Sequence, residues 1–147
     1  MKILGIDHGT RRVGLAVSDP LGITVRGLLV LQASPVERLL DEVARTIEEE
    51  EVDRVVVGLP VNMDGTLGER ALAVQEFVEL LRSRVPVPVE TIDERLTSKE
   101  ADSLLGRKRR PGPKDRGKRD MVAAQILVRD WLQEQGSGPR DSPEGGD

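Results

Sequence analysis

The run Lys2-Ile3-Leu4-Gly5-Ile6-Asp7-His8-Gly9-Thr10-Arg11-Arg12-Val13-Gly14-Leu15-Ala16-Val17-Ser18 holds two apolar segments, Lys2 to Asp7 and Val13 to Ser18, separated by the turn formers Gly9-Thr10. So short a gap leaves no room for a helix, and the two segments are predicted to pair as an antiparallel hairpin. A third strand, Ile23 to Leu31, follows the turn Asp19-Pro20-Leu21-Gly22. The pattern then changes. After Ser34-Pro35, read as a cap with proline at the first helical position, Val36, Leu39, Leu40, Val43 and Ile47 recur at helical spacing. Val55-Val56-Val57 ahead of Gly58-Leu59-Pro60 is uninterruptedly apolar, as in a parallel strand covered on both faces. Ala71, Val74, Phe77, Val78 and Leu81 mark a second helix, Val87 to Ile92 a fifth strand and Thr97 to Leu105 a short helix. The last helix is predicted over Asp120 to Gln133, with Ala124, Leu127, Val128 and Trp131 on its apolar stripe. The result is an α/β domain over residues 1–135, a mixed five-stranded sheet with helices on both faces. Residues 136–147 are Gly, Ser, Pro and charge, and are expected to form a disordered tail.

Composition narrows the chemistry. There is no cysteine, so a disulfide framework and a thiolate metal site are both excluded, and a cation must be held by oxygen or by the single histidine. Hard ions such as Mg²⁺ or Mn²⁺ suit such ligands. No apolar run approaches the roughly 20 residues of a membrane span, so no membrane partner and a cytoplasmic location are expected. The net charge is -4, yet Arg107 to Arg119 carries eight basic residues against the single acid Asp115. A dense positive stretch on an acidic body points to local phosphate contact, with a solvated loop as the plainer alternative. Phe77 and Trp131 are the only Phe and Trp and there is no Tyr, so no base-stacking platform is available and backbone contacts must dominate nucleic-acid binding.

Acids sit at three places where chemistry is expected. Asp7 ends the first strand, and Asp93 and Glu94 end the fifth. Alternation sends these last two to opposite faces without choosing between them. Asp120 opens the last helix, one turn before Ala124 and so on its buried side. Each has a structural reading of its own as a turn or helix cap. Brought together, three acids would repel unless cations neutralised them, an arrangement that two-metal phosphodiester hydrolysis requires. His8, next to Asp7 on the strand, is expected to have a structural role rather than to bind metal. Arg12 and Arg95 are candidates for holding phosphate or orienting a carboxylate, or else for plain salt bridges. Lys99 is read as surface. Asn62 is a candidate for a phosphate or sugar contact.

Four blocks, in order, carry a more specific signal: Gly5 to Asp19, Gly58-Leu59-Pro60 with Gly65, Asp93 to Ser98, and Lys118 to Leu127. Together they resemble the YqgF/RuvX family of ribonuclease-H-like nucleases over nearly the whole chain. The resemblance implies a ribonuclease-H-like fold with Asp7, Glu94 and Asp120 as catalytic acids and ligands of two Mg²⁺ or Mn²⁺ ions. Ala123 and Ala124 stand where junction resolvases bring further acid on the last helix, so no fourth ligand is assigned. It also implies 5'-end processing of pre-16S ribosomal RNA; the nucleic-acid contacts expected from the basic residues themselves are Arg11, Arg12, Arg95, Arg107, Lys108, Arg109, Arg110, Lys114 and Lys118. Resolution of Holliday junctions in branched DNA, for recombination and repair, is the alternative. It would require paired sites and so a homodimer, though no surface seam announces one. Two other readings are weaker. One is a non-catalytic RNA-binding module; the other follows from the likeness of Asp7-His8-Gly9-Thr10 to the phosphate loop of actin-like and sugar-kinase ATPases, whose nucleotide lies between two such domains.

Overall fold

The computed structural model describes residues 1–94 and 113–136, and within the last helix the side chains of residues 119–135. The predicted helix Thr97 to Leu105, Arg95, Lys99, Arg107 to Arg110 and the tail beyond 136 lie outside the described residues, as do the side chains of Lys114 and Lys118. Strands β1 (Ile3–His8), β2 (Arg12–Ser18) and β3 (Val25–Gln32) are followed by α1 (Val36–Glu49), β4 (Arg54–Leu59), α2 (Glu69–Arg82), β5 (Val89–Asp93) and α3 (Pro113–Gly136). The sheet runs in the order β3-β2-β1-β4-β5. The first three strands pair antiparallel through short turns, while β1, β4 and β5 pair parallel through helical crossovers. The mixed five-stranded sheet is therefore the one that the change of connection length predicts.

Alternation gives the sheet two different faces. Leu4 and Ile6 on β1, Val13, Leu15 and Val17 on β2, and Val55 and Val57 on β4 point to one side. There they meet Leu39, Leu40, Val43 and Ile47 of α1 and Val74, Phe77, Val78 and Leu81 of α2, forming the larger core. The other side is covered by α3, whose Val128 and Trp131 pack on Ile3 and Val56. This second face is lined with glycine. A Cβ at Gly5 would lie 2.4 Å from Val128 Cγ2 and 2.8 Å from the Ala124 carbonyl oxygen. At Gly14 it would lie 2.3 Å from the Asp120 carbonyl oxygen, and at Gly58 3.0 Å from Leu127 Cδ1. The glycines form a trough across β2, β1 and β4 in which α3 lies with its backbone nearly on the sheet. Farther along, Trp131 Nε1 donates to Glu90 Oε1 (3.1 Å). Arg54 Nη1 donates to Glu90 Oε2 (2.5 Å), and the Arg54 Cζ lies 5.6 Å from the centre of the Trp131 ring. Tryptophan is thus core, as expected, and also a clamp.

Four boundaries differ from the sequence reading. Pro35 is itself the N-cap of α1, and Ser34 supplies no side-chain cap bond. β3 begins at Val25 rather than Ile23, because Asp19 Oδ1 accepts from the amides of Ile23 (2.6 Å) and Thr24 (3.0 Å) and holds both in the turn. β5 begins at Val89 rather than Val87. Most consequentially, α3 starts at Pro113, so Asp120 does not open the helix but lies two turns inside it.

The trough makes a quantitative prediction. Gly5→Ala should cost about 1–3 kcal/mol through overpacking. The double variant with Val128→Ala should be less destabilised than the sum of the two singles, because Val128 supplies one of the clashing atoms. Gly14→Ala meets main chain, so no side-chain truncation should rescue it. Urea unfolding followed through the fluorescence of Trp131, the only tryptophan, measures all of these.

Candidate active site

Asp7 lies next to last on β1, on the glycine-lined face, directly opposite Gly14 of β2. Across the parallel ladder its neighbour on β4 is Gly58, one residue beyond the pair of Ile6 with Val57. Gly58 in turn pairs with Ile92 of β5. Val89 belongs to the larger core, so Thr91 and Asp93 share its side of β5 while Ile92 and Glu94 face the other way, toward Asp7 and α3. Glu94 is fixed just beyond the strand by its amide, which donates to Leu59 O (3.1 Å). Its Oε1 passes 3.3 Å from where a Gly58 Cβ would be. The absence of a side chain at Gly58 is thus what lets Glu94 reach across β4 to Asp7, with which it shares a side-chain hydrogen bond. The choice between Asp93 and Glu94, open in the sequence, falls to Glu94 by geometry.

Burial pushes the Asp7 carboxyl from its ordinary 3.8 up to about 7, with the negative charges of Glu94 and Asp120 adding to the rise and Arg70 opposing it. Glu94 is also raised, chiefly by burial, against the bond to Asp7 and the charge of Arg70. A desolvated carboxylate pair of this kind attracts a proton or a cation. Asp120 arrives from α3 over Gly14, and Arg12 Nε donates to its Oδ2 at 3.0 Å. Asp120 is near enough for its charge to act on Asp7, but it faces Arg12. Among the described residues no three acidic or imidazole side chains converge into a compact cation-ligand set.

The remaining sequence candidates separate clearly. Arg12 is a carboxylate partner in the structure, and Arg11 is exposed at the β1–β2 turn, where its carbonyl accepts from Ala33 N (2.9 Å). His8 faces α2: its ring lies 4.7 Å from that of Phe77, and Arg70 Nη2 contacts both its carbonyl oxygen (2.8 Å) and Nδ1 (3.1 Å). Burial, then the charge of Arg70, lowers the imidazole to about 4, in keeping with a structural role. Asn62 is engaged within its own loop, where Nδ2 donates to Thr66 Oγ1 (3.0 Å). Sequence reasoning missed two things. The glycine trough had a readable signal, since glycine inside a strand marks close backbone approach. Arg70 had none: nothing in its neighbourhood on α2 says that it lies beside the end of β1.

Comparison with known proteins places this geometry. A family model described as "RuvX: Holliday junction resolvase" matches residues 1–134. The chain belongs to the RuvX family. Its relatives include a protein of Halothermothrix orenii, 38% identical over 135 residues, covering 92% of this chain and 96% of the relative. Another, from Chloroflexus aurantiacus, is 40% identical over 142 residues, covering 97% and 93%. Both carry the name "Putative pre-16S rRNA nuclease". Among solved structures, the RuvX chain shares its fold with T. thermophilus RuvC in complex with a Holliday junction substrate (TM-score 0.58, 23% identity, 92% of this chain and 96% of that one). The fowlpox virus resolvase is more distant in sequence (TM-score 0.56, 13% identity, covering 93% and 100%). The ribonuclease-H-like architecture is that of these resolvases.

The carboxylate pair predicts an inverted stability effect. Folding holds the Asp7 proton more tightly than the unfolded chain does, so Asp7 contributes stability below about pH 4 that is lost as pH rises to about 7. In chelator-treated protein, Asp7→Asn should therefore raise Tm at pH 8 by roughly 5 °C, from about 2 kcal/mol. It should leave Tm nearly unchanged at pH 4. Differential scanning calorimetry at the two pH values checks this; an Asn variant less stable than wild type at pH 8 contradicts it.

Proposed function

We propose that this RuvX-family nuclease is divalent-metal-dependent, with Asp7, Glu94 and Asp120 as its metal-binding acids, and that it acts in 5'-end processing of pre-16S ribosomal RNA. The observation that carries the reading is the buried Asp7–Glu94 pair: two desolvated carboxylates in hydrogen-bond contact at the C-terminal ends of the parallel strands, with a third acid overhead. An all-oxygen, anionic donor set fits Mg²⁺ or Mn²⁺, which take carboxylates and keep positions for water and phosphate. When bound, such ions supply Lewis-acid stabilisation of the charge that develops on the reacting phosphate.

The chain's own residues do the rest. Asp7 and Glu94, fixed by β1 and by the Glu94 amide bond to Leu59, present oxygens from the C-terminal ends of the parallel strands. Asp120 is held by Arg12 and would have to turn from the guanidinium to join the other two acids on a cation, which would leave Arg12 open to phosphate. Hydrolysis leaves 5'-phosphate and 3'-hydroxyl ends. Residues 1–135 act as one catalytic unit, with nucleic acid as its partner. A ribosomal RNA substrate carries with it a cytoplasmic location, and no helix among the described residues is long and apolar enough to cross a membrane.

The description of the family model favours a second substrate, the Holliday junction. Symmetric cleavage would then need two copies of the site, so monomer and homodimer belong to the RNA and the junction reading respectively. End-labelled pre-16S RNA and a four-way DNA junction, incubated side by side with Mg²⁺ or Mn²⁺, separate the two. Wild type should cut the RNA, and Asp7→Asn should bind it while cutting roughly a hundredfold more slowly or less. Preferential cutting of the junction transfers the assignment to DNA. Binding without cutting by wild type removes catalysis altogether.

A further inference from the structure

Arg70 stands apart from the other arginines near the site. Arg12 is committed to Asp120 and Arg54 to Glu90, but no carboxylate pairs with Arg70 among the described residues. It is partly buried in the first turn of α2, close enough to Asp7 and Glu94 for its charge to act on both. Its contacts are made by one nitrogen: Nη2 meets His8 O at 2.8 Å and His8 Nδ1 at 3.1 Å. A guanidinium has five N–H donors in a rigid plane. Holding it by Nη2 leaves Nη1 and Nε with no hydrogen-bond partner among the described residues. His8 is itself fixed, with its ring against Phe77 of the same helix. For Nδ1 to accept from Arg70, the imidazole must be neutral with its proton on Nε2. The result is a positive fork clamped in orientation beside an anionic pair and not neutralised by it, which is a costly arrangement unless an anion completes it.

We propose that Arg70 is a phosphate-binding residue of the nuclease site, and that His8 is the positioning residue that aims it. The free edge of the guanidinium takes a backbone phosphate of the nucleic acid at the edge of the carboxylate pair, where a bidentate N–H contact fixes the strand in register. The assignment rests on the nuclease reading and adds a contact from α2, on the opposite side of the sheet from α3. It makes the structural contacts of His8 with Phe77 and Arg70 a means of positioning the guanidinium.

The test is equilibrium binding of full-length protein to fluorescently labelled single-stranded RNA from the pre-16S 5' region and to a four-way DNA junction. Fluorescence anisotropy is followed in chelator, across a series of KCl concentrations. Each phosphate contact contributes about 0.7 (single strand) to 0.9 (duplex) to the slope of log K against log salt. Arg70→Gln should lower that slope by about this amount and weaken binding several-fold at low salt, with an unchanged melting profile. Arg70→Lys keeps the charge without the fork, so it should keep the slope while binding at least threefold more weakly; this variant carries the test if the glutamine variant fails to fold. An unchanged slope in Arg70→Gln, or wild-type affinity in Arg70→Lys, overturns the proposal and leaves Arg70 as a staple between α2 and β1. Failure of wild type to bind either nucleic acid overturns instead the nuclease reading on which it rests.

Discussion

The close approach of α3 to the sheet is the constraint from which the rest follows. A helix normally rides on side chains about 10 Å above a sheet's mean plane, the spacing at which sheets themselves stack. Here Gly5, Gly14 and Gly58 remove those side chains on three adjacent strands, and the main chain at Asp120 and Ala124 comes within contact of where the Cβ atoms of Gly14 and Gly5 would be. The same absence does two tasks. At Gly14 it admits the backbone that carries Asp120, and at Gly58 it admits both Leu127 and the carboxylate of Glu94. Packing and site are therefore one feature: a trough shallow enough to seat the helix is also shallow enough for acids from β1, β5 and α3 to approach one another.

Electrostatics oppose this arrangement, and the fold distributes the opposition. Asp7 and Glu94 are held together with burial working against their ionisation, while Arg12 and Arg70 approach from opposite sides, one on Asp120 and one anchored to His8. Neither guanidinium forms a salt bridge with the buried pair. Positive charge is near enough to limit the penalty and far enough to leave the carboxylate oxygens for a ligand.

Much of this was legible in the sequence because each element has a strong local signal. The hairpins announced themselves through turn residues too few for a helix, β4 through an unbroken valine run, and α1 and α2 through apolar spacing. Asp7 and Glu94 could be named as candidates because they fall at strand ends, and Asp120 because it lies one turn before the buried Ala124. What local pattern could not supply was long-range: which face of β5 meets β1, and so whether Asp93 or Glu94 joins Asp7. That became geometric only once Val89 was seen in the larger core and Ile92 in the smaller. The start of α3 was misread because the charge-rich segment before Asp120 has no apolar stripe, and helical period is invisible where every face is polar. Arg70 was missed because an arginine on a helix reads as surface until the fold brings a strand end beneath it.

The position of Asp120 two turns inside α3, rather than at its start, bears on how such a chain can vary over generations. Each residue added to a helix turns everything beyond it by about 100°. One residue inserted between Asp120 and Ala124 would swing the acid off the sheet and away from Asp7 while leaving the Ala124, Val128 and Trp131 contacts intact. The glycine trough sets the register of α3, so the four-residue step from Asp120 to Ala124 should behave as an indivisible unit of inheritance.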